Sequence, residues 1–243
     1  MFAKLAWTEI KLSLREPTVA VFALAFPLIL LYLLLLSFGN QPDPDFKGEN
    51  SVDFYVPAYV AGTIAAMGII AIPVHLASYR ERGVLRRLRA SGIAPGSVLI
   101  AQVLVASLLV AVATLVMLLL GSASFELSAP ESWPIFLAGL VLATASFCAL
   151  GVALATLLPS ARAAQSIGLL LFFGMFFISG GGPPEPIMPD GVVFAANALP
   201  MSYAVDALQS GWWDGNWHGT GFAVLFSLMI VSSLVALRGL REV

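Results

Sequence analysis

Charge is what this sequence has least of. Only 11% of its 243 residues are Asp, Glu, Lys or Arg, against about 25% in an ordinary soluble domain. A soluble fold cannot cover its surface with so few charges. At 59% hydrophobic, the chain is also too apolar to remain disordered. A mean hydropathy of +0.93 agrees. These absences leave an integral membrane protein.

Other shortages exclude chemistry. A single cysteine, Cys148, cannot close an internal disulfide and reads as a small core residue. The two histidines, His75 and His218, stand apart in the sequence, which argues against a metal site. None of the three lysines follows the spacing G-x-x-x-x-G-K, so the chain carries no P-loop of its own. H-E-x-x-H is missing, which excludes a zinc protease of that type, and no G-x-S-x-G surrounds Ser91, Ser179 or Ser210. A net charge of −2 offers nucleic acid no bulk attraction.

What is present is long apolar runs. A membrane helix needs roughly 20 apolar residues, and six stretches approach or exceed this, at about 18–38, 56–78, 97–120, 134–158, 163–180 and 218–237. None of these contains Asp, Glu, Lys or Arg. Continuous rather than alternating hydrophobicity predicts helices, not a barrel. Six spans put segments 1–17, 79–96, 159–162 and 238–243 on one side. That side then holds eleven of the twelve cations but only four of the fourteen acids. The split reads as positive-inside, with both termini cytoplasmic in a multi-pass protein of the cytoplasmic membrane. The five tryptophans fall at span ends or in loops, where amphipathic rings favour the interface.

Between the runs, three segments stand out. Residues 1–16 place Lys4, Thr8, Lys11 and Arg15 on one stripe of an amphipathic helix that would lie along the inner membrane surface. The loop at 79–95 carries Arg80, Arg82, Arg86, Arg87 and Arg89 with Glu81. It predicts a short helix with Arg82, Arg86 and Arg89 on one face, ended by Gly92 and Pro95. Such a loop serves topology alone, or docks on a carboxylate-bearing partner, for which Arg suits better than Lys. Residues 181–216 are too hydrophobic for a plain loop and are punctuated by proline and glycine, which predicts two short re-entrant helices in the outer leaflet. Pro27 and Pro73 predict kinks in the first and second spans. Pairs such as Gly62/Ala66 and Gly151/Ala155 permit close helix packing.

No Asp, Glu, Lys or Arg lies within the six runs, whereas ion-coupled carriers usually keep an ionisable residue there. A transporter of this composition would draw its energy from another polypeptide.

The chain resembles the membrane permease subunits of the type-2 ATP-binding-cassette exporters, and among them the compact daunorubicin-resistance-type permeases. The resemblance rests on the basic leader, the six spans, and Arg80-Glu81-Arg82-Gly83-x-x-Arg86-Arg87-Leu88-Arg89-Ala90-Ser91. It also rests on Pro183 to Pro189 and on Leu199-Pro200-x-x-Tyr203-x-x-Asp206. It implies an all-α, single transmembrane domain over 1–243. Tyr79, Arg80, Glu81, Arg82, Gly83, Arg86, Arg87, Leu88 and Arg89 would form a coupling helix over 79–91, against a separate nucleotide-binding ATPase subunit. Pro159 and Arg162 would form a second contact with that subunit. Pro183, Pro184, Glu185, Pro200, Tyr203 and Asp206 would help close an outer gate. ATP and Mg would sit on the partner, and a second permease copy, the same or related, would complete the assembly. This chain would then have no catalytic residues. Phe172, Phe173 and Phe176 of the fifth span are candidates for an apolar substrate path, and equally for lipid contact. An apolar or amphipathic drug, antibiotic or lipid-like cargo follows from uncharged spans. The alternatives are an autonomous carrier or channel and, more remotely, a lipid-modifying enzyme built on Asp206, His218 and Tyr203.

Overall fold

The computed structural model describes residues 25–46, 48–92 and 95–241. The amphipathic leader at 1–16 and the first part of the span at 18–38 lie outside these residues. Helix accounts for 84% of what is described, with no strand among it. The elements are α1 (Phe26–Phe38), α2 (Ser51–Ala66), α3 (Ile72–Glu81), α4 (Val84–Ala90), α5 (Pro95–Phe125), α6 (Trp133–Leu157), α7 (Ala161–Phe176), α8 (Asp190–Ala196), α9 (Pro200–Gln209) and α10 (Gly219–Arg241).

Among the described residues, five helices are long and apolar enough to cross a membrane: Ser51–Glu81, Gly96–Phe125, Trp133–Leu157, Ala161–Gly181 and Gly219–Gly239. α1 supplies the described part of a sixth. The spans run longer than the apolar runs predict, because their ends are polar but still helical. The second begins at Ser51 rather than 56, with Asn50 as its N-cap, and so takes in Asp53. It ends on Arg80 and Glu81. α5 has 31 residues, about 46 Å at helical rise, well beyond the ~30 Å hydrocarbon layer.

The second span is the central pillar. Its most apolar window is 89% buried, against 28–50% for the other four. Two prolines shape it. Pro57 cannot donate to the carbonyl of Asp53, four residues earlier. That oxygen instead accepts the indole N–H of Trp213 at 3.2 Å. Pro73 likewise strips Ile69 of its donor. Here the chain widens into a five-residue π turn, Met67–Ala71, between α2 and α3. Glycines let neighbours close on this turn. An added Cβ would sit 1.9 Å from the Gly68 oxygen at Gly151 and 2.5 Å from the Ile69 oxygen at Gly168. Gly62 is held as tightly by the Phe176 ring. The close packing read from Gly62 and Gly151 is therefore present. Pro27 lies in the first turn of α1 as described, where a proline is tolerated.

α8 and α9, the latter prolonged by a π turn at Ser210–Asp214, meet at 86°. They cap one end of the bundle instead of crossing it. Gly139 of α6 faces the Ala207 oxygen, Gly211 faces the backbone of Phe136, and Gly221 of α10 faces Asp206. All three contacts fall within the first turns of their spans. At the opposite end, Gly239 abuts Thr156, so the termini of α10 and α6 lie together. Every arginine of the described residues belongs to this second end, the arginine end. Every described acid but Glu81 belongs to the first, the acidic end.

Candidate functional site

The arginine-rich segment is not one helix. Tyr79, Arg80 and Glu81 complete α3, with Tyr79 half-buried. Arg82 and Gly83 then turn the chain, and α4 runs from Val84 to Ala90. Gly83 sits at φ +66, a left-handed conformation that favours glycine, and its N–H bonds to the Arg80 oxygen at 3.1 Å. The continuous helix over 79–91 is thereby corrected: Arg82 lies in the turn, off the face that carries Arg86. Leu88 and Arg89 fall in α4, their side chains outside the described residues.

The first two charged residues turn inward. Arg80 Nη1 donates to the Ala155 oxygen at 3.0 Å, and Nη2 to that of Leu158. These are carbonyls at the α6 C-terminus, which lack helical donors and carry partial negative charge. Glu81 Oε1 accepts the N–H of Ala161, the first residue of α7, at 3.1 Å. The Ser160 hydroxyl caps the same helix by accepting from Ala163 N at 3.1 Å. Adjacent residues of α3 thus strap the turn between α6 and α7, with each charge placed on the helix pole it complements. Arg82, Arg86, Arg87 and Arg162 are exposed, and their guanidinium groups make no hydrogen bond or ion pair among the described residues. Pro159 is exposed beside them.

At the acidic end, α7 breaks through a π turn at Phe177–Gly181, where Gly180 reaches φ +102. Pro183 is exposed, Pro184 buried, and Glu185 opens a short 3-10 turn. Pro200 starts α9. Tyr203 donates to the Asn197 oxygen at 2.7 Å, tying α9 to the end of α8. Asp206 Oδ1 lies 2.9 Å from His218 Nδ1, and His218 Nε2 lies 3.0 Å from Asp214 Oδ2. His218, isolated in sequence, therefore clamps α9 to the start of α10. Among the described residues no three His, Cys, Asp or Glu side chains gather for a metal.

The organising residue of this end is one the sequence reading missed. Asp53 is 1% exposed. Its carboxylate accepts from Ser128 N at 2.9 Å, Ser128 Oγ at 3.1 Å, Asn50 Nδ2 at 3.3 Å and Trp212 Nε1 at 3.3 Å. No cation pairs with it among the described residues. Trp212 and Trp213 are thus spokes of this hub, whereas Trp133 and Trp217 are exposed. A proline four residues after an acid, with indoles late in the chain, was the only available signal. Nearby, burial raises the Glu49 carboxyl above its ordinary range, and Asp53, Glu131 and Asp214 raise it further.

Phe172 and Phe176 lie in the protein interior, stacked on each other at 5.4 Å, and Phe173 is half-buried beside them. Phe26 of α1 packs on all three, and Tyr59 of α2 stacks on Phe176. The buried Tyr59 hydroxyl has no hydrogen-bond partner among the described residues.

A bundle of apolar spans, strapped turns at one end and a re-entrant cap at the other define a multi-pass membrane protein. The family profile of the ABC-2 type transporters matches residues 2–213, and the chain belongs to that family. Its members' membrane domains are transport permeases rather than catalysts, and the family implies a partner ABC ATPase subunit. A search of curated proteins gave no match.

Proposed function

We propose that this chain is the permease of an ATP-driven exporter whose arginine end faces the cytoplasm, multi-pass in the cytoplasmic membrane with both termini inside. ATP and Mg would be bound by a separate nucleotide-binding subunit docked on α4 and on the turn holding Pro159 and Arg162. Two permease copies, identical or related, would complete the assembly. The cargo is hydrophobic or amphipathic: drug, antibiotic or lipid-like.

One observation carries this reading. Arg80 and Glu81 bind the turn between α6 and α7, while four arginines beside them stay free. A partner with a carboxylate-rich surface has unclaimed guanidinium groups to grip. Whatever it moves there moves the ends of α3, α6 and α7 together, as rigid-body switching requires. Differential contacts of the two ATPase states would then set which side is open.

The test is copurification of the tagged chain in mild detergent, with mass spectrometry and an ATPase assay. Wild type should bring down a P-loop protein in near-stoichiometric amount. Arg86→Ala should weaken that capture about tenfold. Glu81→Ala should retain it but lose cargo-stimulated ATP hydrolysis. A lone protein that carries solute in vesicles without ATP would sink the proposal in favour of an autonomous carrier.

A further inference from the structure

His218 stands in an arrangement that requires an extra proton. Its Nδ1 lies 2.9 Å from Asp206 Oδ1, and its Nε2 lies 3.0 Å from Asp214 Oδ2. An ionised carboxylate only accepts hydrogen bonds, and a neutral imidazole has one donor and one acceptor nitrogen. Carboxylates on both nitrogens therefore hold one proton more than a neutral ring supplies. That proton belongs on the ring, because an ordinary imidazole protonates near pH ~6.5 and an ordinary carboxyl near pH ~4. All three side chains are partly exposed, so the medium can supply and remove it.

The surroundings favour the cation. Asp206 comes from α9, and Asp214 from the π turn that prolongs it. Gly221 of α10 leaves room for the second Asp206 oxygen, which would lie 2.5 Å from a Cβ there. Glu131, from the loop ahead of α6, lies beside Gly215, and Glu49 interacts through charge with Asp214. The Tyr203 hydroxyl is taken up by the Asn197 oxygen. α10 adds no titratable group before Arg238, at the far end of the bundle. Among the described residues no lysine or arginine belongs to this end.

We infer that His218 is a proton-operated latch between the re-entrant cap and α10, closed while the ring is an imidazolium and opened when it is neutral. Loss of the ring proton turns one nitrogen into an acceptor facing a carboxylate, and that contact must open. Release of Asp206 parts α9 from α10; release of Asp214 slackens the turn over 214–218. The closed form binds the extra proton, so the stabilisation it brings is present in acid and lost as pH rises. The latch concerns the cap alone and does not need the export reading.

The test uses the full-length permease in phosphatidylcholine nanodiscs, at about pH 5.5 and about pH 8. Backbone hydrogen exchange over 200–221 is read as protection factors, which removes the intrinsic pH dependence of exchange. Wild-type protection should fall about threefold or more at the higher pH. His218→Gln, neutral throughout, should be poorly protected at both. Asp206→Asn supplies a donor to the neutral ring and should stay protected at both. Glu49→Gln should keep the wild-type step. Nitrogen-15 NMR of the two labelled histidines, assigned with His218→Gln, should show both His218 ring nitrogens protonated in acid and one at the higher pH. Equal wild-type protection at the two pH values would overturn the latch. So would a step that persists in His218→Gln or vanishes in Glu49→Gln, or a neutral His218 ring in acid.

Discussion

The two ends of the bundle use polar groups in opposite ways. At the acidic end they are turned on one another: Asp53 collects four donors, Trp213 takes the carbonyl freed by Pro57, and His218 stands between Asp206 and Asp214. At the arginine end Arg80 and Glu81 are engaged, while the guanidinium groups of Arg82, Arg86, Arg87 and Arg162 are exposed and make no bond among the described residues. One end is closed by its own residues. The other is stiffened at its base and unsaturated at its surface, which is the form expected of a part that another molecule must hold.

The largest expected effect joins the ends. Gly151 touches the Gly68 backbone in mid-span, so Gly151→Ala must push two helices apart, at about 3 kcal/mol or more. Hydrogen exchange should rise at both ends, whereas a rise at one alone would show that they are not packed as a unit. Next come changes confined to an end. Asp53→Leu strands several buried donors and should cost about 3 kcal/mol in thermal unfolding. The triple replacement of Arg82, Arg86 and Arg87 by Ala should shift stability by no more than ~0.5 kcal/mol per site. Comparable losses would break the contrast. The smallest effect concerns Glu49. Its raised pKa means the folded protein disfavours the ionised form. The stability this group contributes is complete below its ordinary 4.5 and is lost as pH rises through the raised value. Glu49→Gln should therefore melt higher than wild type at pH 7 and together with it in acid below that ordinary value.

The spans were legible because hydrocarbon imposes one requirement on every residue of a run. Their ends were not, because helices continue through polar residues once side chains such as Arg80 or Asp53 find partners. Charge segregation was visible without coordinates, since it is a property of loops. The re-entrant pair was visible from hydrophobicity broken by proline and glycine. The arginine segment misled in one respect: periodicity placed Arg82 with Arg86, but periodicity does not register that Gly83 interrupts the helix. The Asp53 hub and the engagement of Arg80 with α6 join residues 75 to 160 positions apart. No local pattern encodes such partners.

The π turn at Met67–Ala71 sets the angular phase of everything after it. A wide turn takes one residue more than an α-helical turn, and one residue is worth about 100° of rotation. Were this stretch to rewind as α-helix, α3 would swing by more than a quarter of a revolution relative to α2. Arg80 and Glu81 would then be directed away from the α6–α7 turn. The aim of those two side chains is thus set about ten residues upstream, by a local change of winding that also accommodates Pro73.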